Sequence, residues 1–571
     1  MRVTLSKSKN AEQVYITKAY RNDAGKSTSR IFKKLGTMAE LLPAHDNDRD
    51  KVLAWAKEQA HILTEEEKKN ELKVTATFSE NKQIRIGEQA SFHGGYLFLQ
   101  KICSELGIPA ICAKIAEKHS FRYDLSEILC GLIYARILSP SSKLSSYGYL
   151  QTLIEKPSFS LQDVYRALDI LHQESDTIQA ELYRRSRAKQ NSTILYYDCT
   201  NFFFEIEEED DFRKYGKSKE HRPNPIVQFG LFLDGNGLPL AFTMFPGNEN
   251  EQPSLIPLEE RIMKDYALSK FILCTDAGLA SAANRRFNTH GDRSFIVRQS
   301  LKQLKEHLRN WSLDPSGWYL NGDSRIYDLR KIDEEKHRND VFYKERWINE
   351  NGLEQRLIVT FSLKYKYYQR EIRQRQVERA EKIVKDKRNR RTRNPNSPER
   401  FVQEVQLTLD GEIAEFTQKD LDEDKIRDEE QYDGFTAVCT NLDGNTAEIL
   451  KVNHCRWEIE ESFRIMKTEF RARPVYLRRE ERIRAHFLTC FLSLMVFRCL
   501  EKKLGEQYSV EEIRETLQRM DFYRVKGMGY LPTYTRSPIT DALHDAMGFR
   551  TDNEIVLEKN MKKILKETKT S

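Results

Sequence analysis

The sequence predicts an α/β core, a mixed sheet with helices packed on it, interrupted by a β-rich insertion and preceded by N-terminal β-strand and helical regions. Three observations carry this. From Thr193 the chain reads strand, hairpin, helix, strand, helix, an order that builds a mixed sheet. A stretch of separate strand-like pieces from about 300 to 445 divides that block from a second helical one. Before residue 190 the pattern is first of short strands and then of helices.

In chain order, VTLSKS and QVYITKAYR alternate as strands do, with NDAGK as the turn between strands. LLPAHDNDRD reads as a linker, and a polar helix is predicted from about Arg49 to Asn70. From Gly87 to Lys189 the pattern is mostly helical, as in YLFLQKICSELG and LSEILCGLIYARIL, broken at Ser139, Pro140 and Ser141. TILYYDCTNFFFEI is a strand of β-branched and aromatic residues, and IVQFGLFLDGNGLPLAFTMF is a hairpin turning at Asp-Gly-Asn-Gly. Residues 251–268 are helix-like, FILCTDAG is a short apolar strand ending at Asp276, and SAANRRF starts a helix.

DVFYKERWI, RLIVTFS and FTAVCTNL supply strands to the insertion. Within it, Arg370 to Arg393 holds eleven Lys or Arg against four Asp or Glu, a net +7, and Asn389 to Arg400 reads as an exposed loop. Ala447 to Leu504 is helical, and the remainder to Ser571 reads as helical with a basic tail. The boundaries drawn from these changes are 1–70, 71–190, 191–299, 300–445, 446–505 and 506–571.

Composition excludes several classes. Of 571 residues 39% are hydrophobic, enough for real cores, and 32% are charged, above the usual quarter. With 93 Lys+Arg against 87 Asp+Glu the net charge is +6, so any surface for a polyanion must be local. The N-terminal segment has no apolar run that reads as a signal peptide, and the longest apolar run, Phe487 to Phe497, is shorter than a membrane span needs. Nine scattered cysteines without a CxxC argue against a disulfide framework or thiolate zinc site and suit a reducing cytoplasm. His454 beside Cys455 lacks further ligands at zinc spacing.

Three acids stand out. Asp198 lies in the middle of an apolar strand, where a carboxylate is costly unless it is paired or binds a metal. Asp276 ends a later strand, a place where turn chemistry alone also suffices. The third, Glu460, lies in CRWEIEESFRIMKTEFRARP. At about 100° per residue, Arg456, Lys467, Glu460, Arg471 and Arg464 fall within about 80° of one another, beside an apolar stripe of Met466, Ile459, Phe470 and Phe463. Solvated i,i+4 pairs would explain one or two of these charges. Four bases crowding one acid beside the buried stripe read better as a polyanion surface next to a metal-binding carboxylate.

YYDCT around Asp198, FILCTDAG around Asp276 and RWEIEESFRIMK with Glu460 resemble a DDE transposase of a bacterial insertion sequence, of the branch whose ribonuclease-H-like core is interrupted by a β-rich insertion. Arg456, Glu460 and Lys467 fit that branch's Tyr-x2-Arg-x3-Glu-x6-Lys spacing, while Asn453 stands at the tyrosine position. GKSKEHRPNP, LPLAFTMFPGNENE and RPVYLRREERIRAH resemble further segments, so the likeness spans about 190 to 500.

The resemblance implies that Asp198, Asp276 and Glu460 are catalytic and hold two Mg²⁺ ions, with Mn²⁺ able to substitute. It implies nicking of element ends and strand transfer, with a hairpin end as intermediate, on double-stranded DNA bearing terminal inverted repeats and on target DNA. A dimer in the DNA complex, a bacterial cytoplasmic or nucleoid-associated location, and no membrane or small-molecule cofactor go with it. Arg456, Arg464, Lys467 and Arg471 are candidates for phosphate contacts, as are Lys217, Lys219, His221 and Arg222 between the first two core strands. The N-terminal strands and the helices to about 185 are the candidate readers of DNA ends. Trp347 is either a stacking residue or part of the β core. A stand-alone nuclease, a catalytically silent DNA-binding derivative and an RNA-processing protein are the rival readings.

Overall fold

The computed structural model describes residues 1–7, 11–21, 27–70, 74–81, 83–187, 193–350, 352–385, 397–407 and 416–570. The expected NDAGK turn, and most of the exposed loop expected over Asn389 to Arg400, lie outside the described residues. The chain divides into two compact units, Met1–Glu88 with Val525–Met528, and the remainder.

In the first unit β1 (Arg2–Lys7), β2 (Glu12–Arg21) and β3 (Ser27–Thr37) form an antiparallel meander. Thr37 and Glu40 make a capping box that starts the short helix α1 (Met38–Leu41), and a 3-10 turn, Leu42–His45, occupies the expected linker. Helix α2 (Arg49–Asn70) lays Val52 and Ala56 against Val14 and Met38.

The second unit opens with β4 (Ser91–His93) and six helices: α3 (Tyr96–Glu105), α4 (Ile108–Ala116), α5 (Leu125–Leu138), α6 (Lys143–Leu150), α7 (Leu161–Gln173) and α8 (Ser175–Arg187). Next come β5 (Ile194–Phe203), β6 (Ile226–Asp234), β7 (Pro239–Pro246), α9 (Leu255–Tyr266), β8 (Ile272–Thr275), α10 (Ala282–Phe287) and β9 (Ser294–Gln299). The segment after β9 contributes α11 (Glu306–Leu313), β10 (Trp318–Leu320), β11 (Asp323–Tyr327), β12 (Val341–Glu350), β13 (Leu353–Ser362), α12 (Leu363–Lys385), β14 (Val402–Leu407), β15 (Phe416–Leu421), α13 (Glu423–Glu430) and β16 (Phe435–Thr440). Helices α14 (Thr446–His454), α15 (Trp457–Arg464), α16 (Glu480–Lys503) and α17 (Val510–Gln518) follow. The chain closes with β17 (Asp521–Val525), β18 (Gly529–Pro532), α18 (Pro538–Met547), β19 (Val556–Leu557) and α19 (Glu558–Glu567).

Ten strands make one mixed sheet in the order β11-β10-β12-β13-β16-β9-β8-β5-β6-β7. The pairs β5/β8 and β8/β9 are parallel and the others antiparallel. Strands β10 to β13 and β16 of the 300–445 segment thus extend the sheet, with β16 paired directly to β9, while β14 and β15 pair with each other in a separate two-stranded sheet. β6 is buried along its whole length, because both sheet faces are covered, and its sequence accordingly reads as a continuous apolar run. The hairpin after it is set by Asp234, whose Oδ1 accepts hydrogen bonds from the Asn236 and Leu238 amides, and by Gly237 at φ +74°.

Alternate residues of β5 face opposite cores. Tyr196 and Phe202 join the core shared with α3 to α7, α15 and α16, while Tyr197 and Cys199 join the core under α8 and α9. Helix α16 is the spine of the first core and packs on α3, α5, α7 and β7. By length and composition alone this 24-residue helix could cross a membrane, but 83% of its most apolar window is buried inside the protein. The C-terminal segment, expected to be helical, also carries β17, β18 and β19, which with β4 make a four-stranded sheet.

Candidate active site

The register of the parallel pair β5/β8 places the first two acids. Tyr196 lies opposite Cys274 and Tyr197 opposite Thr275, so the next step along each strand puts Asp198 beside Asp276. Both lie on the face of Tyr196, whose hydroxyl donates to the Val452 carbonyl of α14 at 3.1 Å and ties α14 over that face. Asp198 is partly buried, and its Oδ1 accepts from the Cys199 amide at 2.8 Å. Burial pushes its carboxyl up to about 6; the Asp276 charge adds to this, and Lys219 and Arg456 oppose it. Asp276 stands at the cap position of a 3-10 turn but caps nothing with its side chain, which is 44% exposed.

The third acid arrives through an arginine. Helix α15 buries Ile459 and Phe463 against the sheet, as the apolar stripe predicts. Arg456, just before it, is buried and places Nη1 3.4 Å from Asp276 and Nη2 3.8 Å from Glu460, while its Nε has no partner among the described residues. The Glu460 side chain is 67% exposed. Arg456 therefore links Asp276, the neighbour of Asp198, to Glu460.

The regular helical spacing that groups these bases holds from Arg456 to Arg464 and not beyond. After Arg464 the helix continues as a π-helical turn, Ile465–Glu469, with the Phe470 amide bonded to the Ile465 carbonyl at 2.9 Å. A 100° step does not hold through that wider turn. Arg464 pairs with Glu461 at 2.6 Å and with Glu469 at 3.5 Å, away from Glu460. Lys467 lies over the Phe202 ring and pairs with Glu220 at 3.3 Å. Arg471 is exposed beyond the turn at φ +43°.

The loop between β5 and β6 reaches the same end of the sheet. Asn201 fastens it, donating to the Lys217 carbonyl and accepting from the Lys219 amide, each at 3.1 Å. Lys219 donates to the Cys199 carbonyl at 2.5 Å and pairs with Glu251 at 3.2 Å, beside Asp198. Lys217, His221 and Arg222 are exposed, with Arg222 over the Phe203 ring. Glu220 joins the loop to both Lys467 and Arg473. Sequence reading passed over Glu220, Glu251 and Arg473; an acid set among the bases of KSKEHR was the available signal. Trp347 is 45% exposed on β12.

The donor chemistry fits a hard dication as far as Asp198 and Asp276 go, two adjacent carboxylates at a partly open strand end. Glu460 is joined to Asp276 through Arg456, which pairs with both. Among the described residues no three His, Cys, Asp or Glu side chains gather into a metal-holding group.

Fold and site together define a mixed-sheet domain that sets one acid within a strand, Asp198 of β5, beside another just past the end of its parallel neighbour, Asp276 after β8. The chain belongs to the transposase DDE domain family, which matches residues 195–496, just over half of its length. No curated protein matches it. Among solved structures it is similar to a piggyBac transposase in a synaptic complex with hairpin DNA, determined by cryo-electron microscopy. That similarity has 8% identity, covers 84% of this chain and 88% of that one, and has a TM-score of 0.37.

Proposed function

We propose that the protein is the transposase of an insertion sequence, binding its terminal inverted repeats and catalysing metal-dependent DNA cleavage and strand transfer by cut and paste. The observation that carries this is the placement of Asp198 beside Asp276 on parallel strands inside the family span. The order β7-β6-β5-β8-β9, with one acid on β5 and the next after β8, supports a ribonuclease-H-like core. Asp198 and Asp276 would hold Mg²⁺ or Mn²⁺, with Glu460 as the third donor once Arg456 gives way. Bound there, such ions supply Lewis acidity to a scissile phosphodiester.

The chain's own groups position the strand. Lys219 sits beside Asp198, and Lys467 and Arg473 flank it through Glu220, where phosphate oxygens would replace the glutamate. Synapsis of two ends calls for two copies, and a hairpin end follows if the freed 3′-hydroxyl attacks the opposite strand.

The test is cleavage of a labelled duplex carrying the element end, in Mg²⁺ and in EDTA. Wild type should cut at the element boundary only with metal, and Asp198→Ala, Asp276→Ala and Glu460→Ala should bind but not cut. Cleavage without strand-transfer products would make the protein a nuclease instead. A denaturing gel without a hairpin band would remove the hairpin step.

A further inference from the structure

A second cationic feature lies outside the candidate active site. A cavity of about 400 Å³ is formed by the end of α5, the start of α6, Tyr165 of α7, His486 of α16 and residues 474–477. Its floor is basic: Arg136 and Lys143 line it, and no Asp or Glu does among the described residues.

We propose that this cavity binds a phosphate group through Lys143 and the first turn of α6. Lys143 is only 5% exposed, yet no acceptor or carboxylate partners its ammonium among the described residues. An unpaired buried ammonium is costly, and an anion bound in this cavity would remove that cost. Arg136 cannot serve as counter-group, since it carries the same charge. It is braced on the carbonyls of Phe470 at 3.2 Å, Arg471 at 3.1 Å and Ser141 at 3.1 Å. His486 bonds to the Ala472 carbonyl at 2.9 Å, and burial with the charges of Arg136 and Lys143 keeps it neutral. Burial, with Arg136 adding, brings Lys143 down to about 7, a cost that a bound anion would reverse.

Helix α6 supplies the second half of the site. Ser142 caps it by accepting from the Ser145 amide at 3.2 Å, which leaves the amides of Lys143 and Leu144 at the positive end of the helix dipole. The Ser142 and Ser145 hydroxyls, 3.3 Å apart, line the same wall. Tyr476, 68% exposed, stands in the lining as a surface on which a nucleobase can stack.

The phosphate has two possible sources, a free phosphate ion or a backbone phosphate of a DNA strand. The second rests on the function proposed above. The probes are inorganic phosphate and a labelled duplex, applied to the full chain and to Lys143→Met and Lys143→Arg. Phosphate should raise the melting temperature of wild type and move the Lys143 signal in ¹³C-methyl-lysine NMR. Lys143→Met should lose the melting response and Lys143→Arg should keep it. Without phosphate, Lys143→Met should melt no lower than wild type, since it removes a buried unpaired charge.

For a strand phosphate, Lys143→Met should weaken duplex binding about tenfold and lower the salt slope by about one. If phosphate acts equally on wild type and Lys143→Met, the site is wrong. If phosphate needs Lys143 while duplex binding and its salt slope do not, the site stands for the free ion and the strand source falls. Lys143-dependent phosphate binding in a protein that never cleaves DNA would overturn the transposase reading and leave this site intact.

Discussion

The guanidinium of Arg456 stands 3.4 Å from the carboxylate of Asp276, and its other terminal nitrogen reaches toward Glu460. A buried cation thus occupies the gap across which the second and third acids would have to meet. Buried arginine needs compensating charge, and these two carboxylates provide it. The contact that stabilises Arg456 engages both carboxylates, so a cation bound by Asp276 and Glu460 together would have to displace it.

Arg456→Gln should therefore tighten metal binding in the absence of DNA. Two charges this close interact by several kcal/mol even at an effective dielectric near 20, of which only part is recovered when the acids rearrange. An increase of about tenfold in Mn²⁺ affinity, some 1.4 kcal/mol, is expected by isothermal titration calorimetry. Unchanged or weaker affinity would show that Arg456 does not compete for the acids.

Glu220 plays the corresponding part on the basic side, pairing with both Lys467 and Arg473. Lys467 is largely buried, and burial lowers its pKa. Glu220→Gln removes the acid that neutralises two candidate phosphate contacts. Duplex binding should tighten several-fold, and the salt dependence should steepen by about one to two in slope as two cations are freed for phosphates. Fluorescence anisotropy against salt measures both, and a flat response would place Lys467 and Arg473 away from DNA.

Two glycines near the site should behave oppositely. A Cβ on Gly216 would lie 2.0 Å from the Gly247 carbonyl oxygen, a backbone atom that cannot swing aside, whereas one on Gly278 would meet nothing within 4 Å. Gly216→Ala should cost a few kcal/mol as the loop bearing Lys219 is forced off Cys199. Gly278→Ala, two residues from Asp276, should leave the melting temperature within about a degree or raise it slightly by stiffening the unfolded chain. Equal melting shifts for the two variants would refute this.

How much was legible follows from which patterns are local. Apolar, β-branched and aromatic composition marked β5, β6, β7 and β8 to within a few residues, and the Asp-Gly-Asn-Gly turn placed the hairpin between β6 and β7. The apolar stripe named Ile459 and Phe463 as the packed face of α15, and that face is buried. The π-helical turn was not legible, because no residue type demands it; it depends on how α15 meets the rest of the core. The wheel therefore holds for Arg456, Glu460 and Arg464 but not for Lys467 and Arg471, which lie in and beyond that turn. The pairing of β16 with β9 was likewise hidden, since sequence pattern marks strands but not their neighbours. The C-terminal strands are two to five residues long, too short for a period of two to declare itself.

Glu259 of α9 is fully buried, and its carboxylate accepts from the Asn288 side-chain amide at 2.9 and 3.2 Å. Burial raises its carboxyl to about 8, with Arg293 opposing only in part. The folded state therefore holds this proton more tightly than the unfolded chain, whose carboxyl titrates near 4.5. The linked stability is full below about pH 4.5, falls as pH rises toward 8, and is gone above it. At roughly 1.4 kcal/mol per unit the loss amounts to a few kcal/mol. Glu259→Gln cannot ionise, and its Oε1 can still accept from the Asn288 side-chain amide. Urea unfolding should find the variant close to wild type at pH 5 and more stable by a few kcal/mol at pH 9. Parallel pH profiles for the two proteins would mean that Glu259 keeps its proton, or its charge, throughout that range.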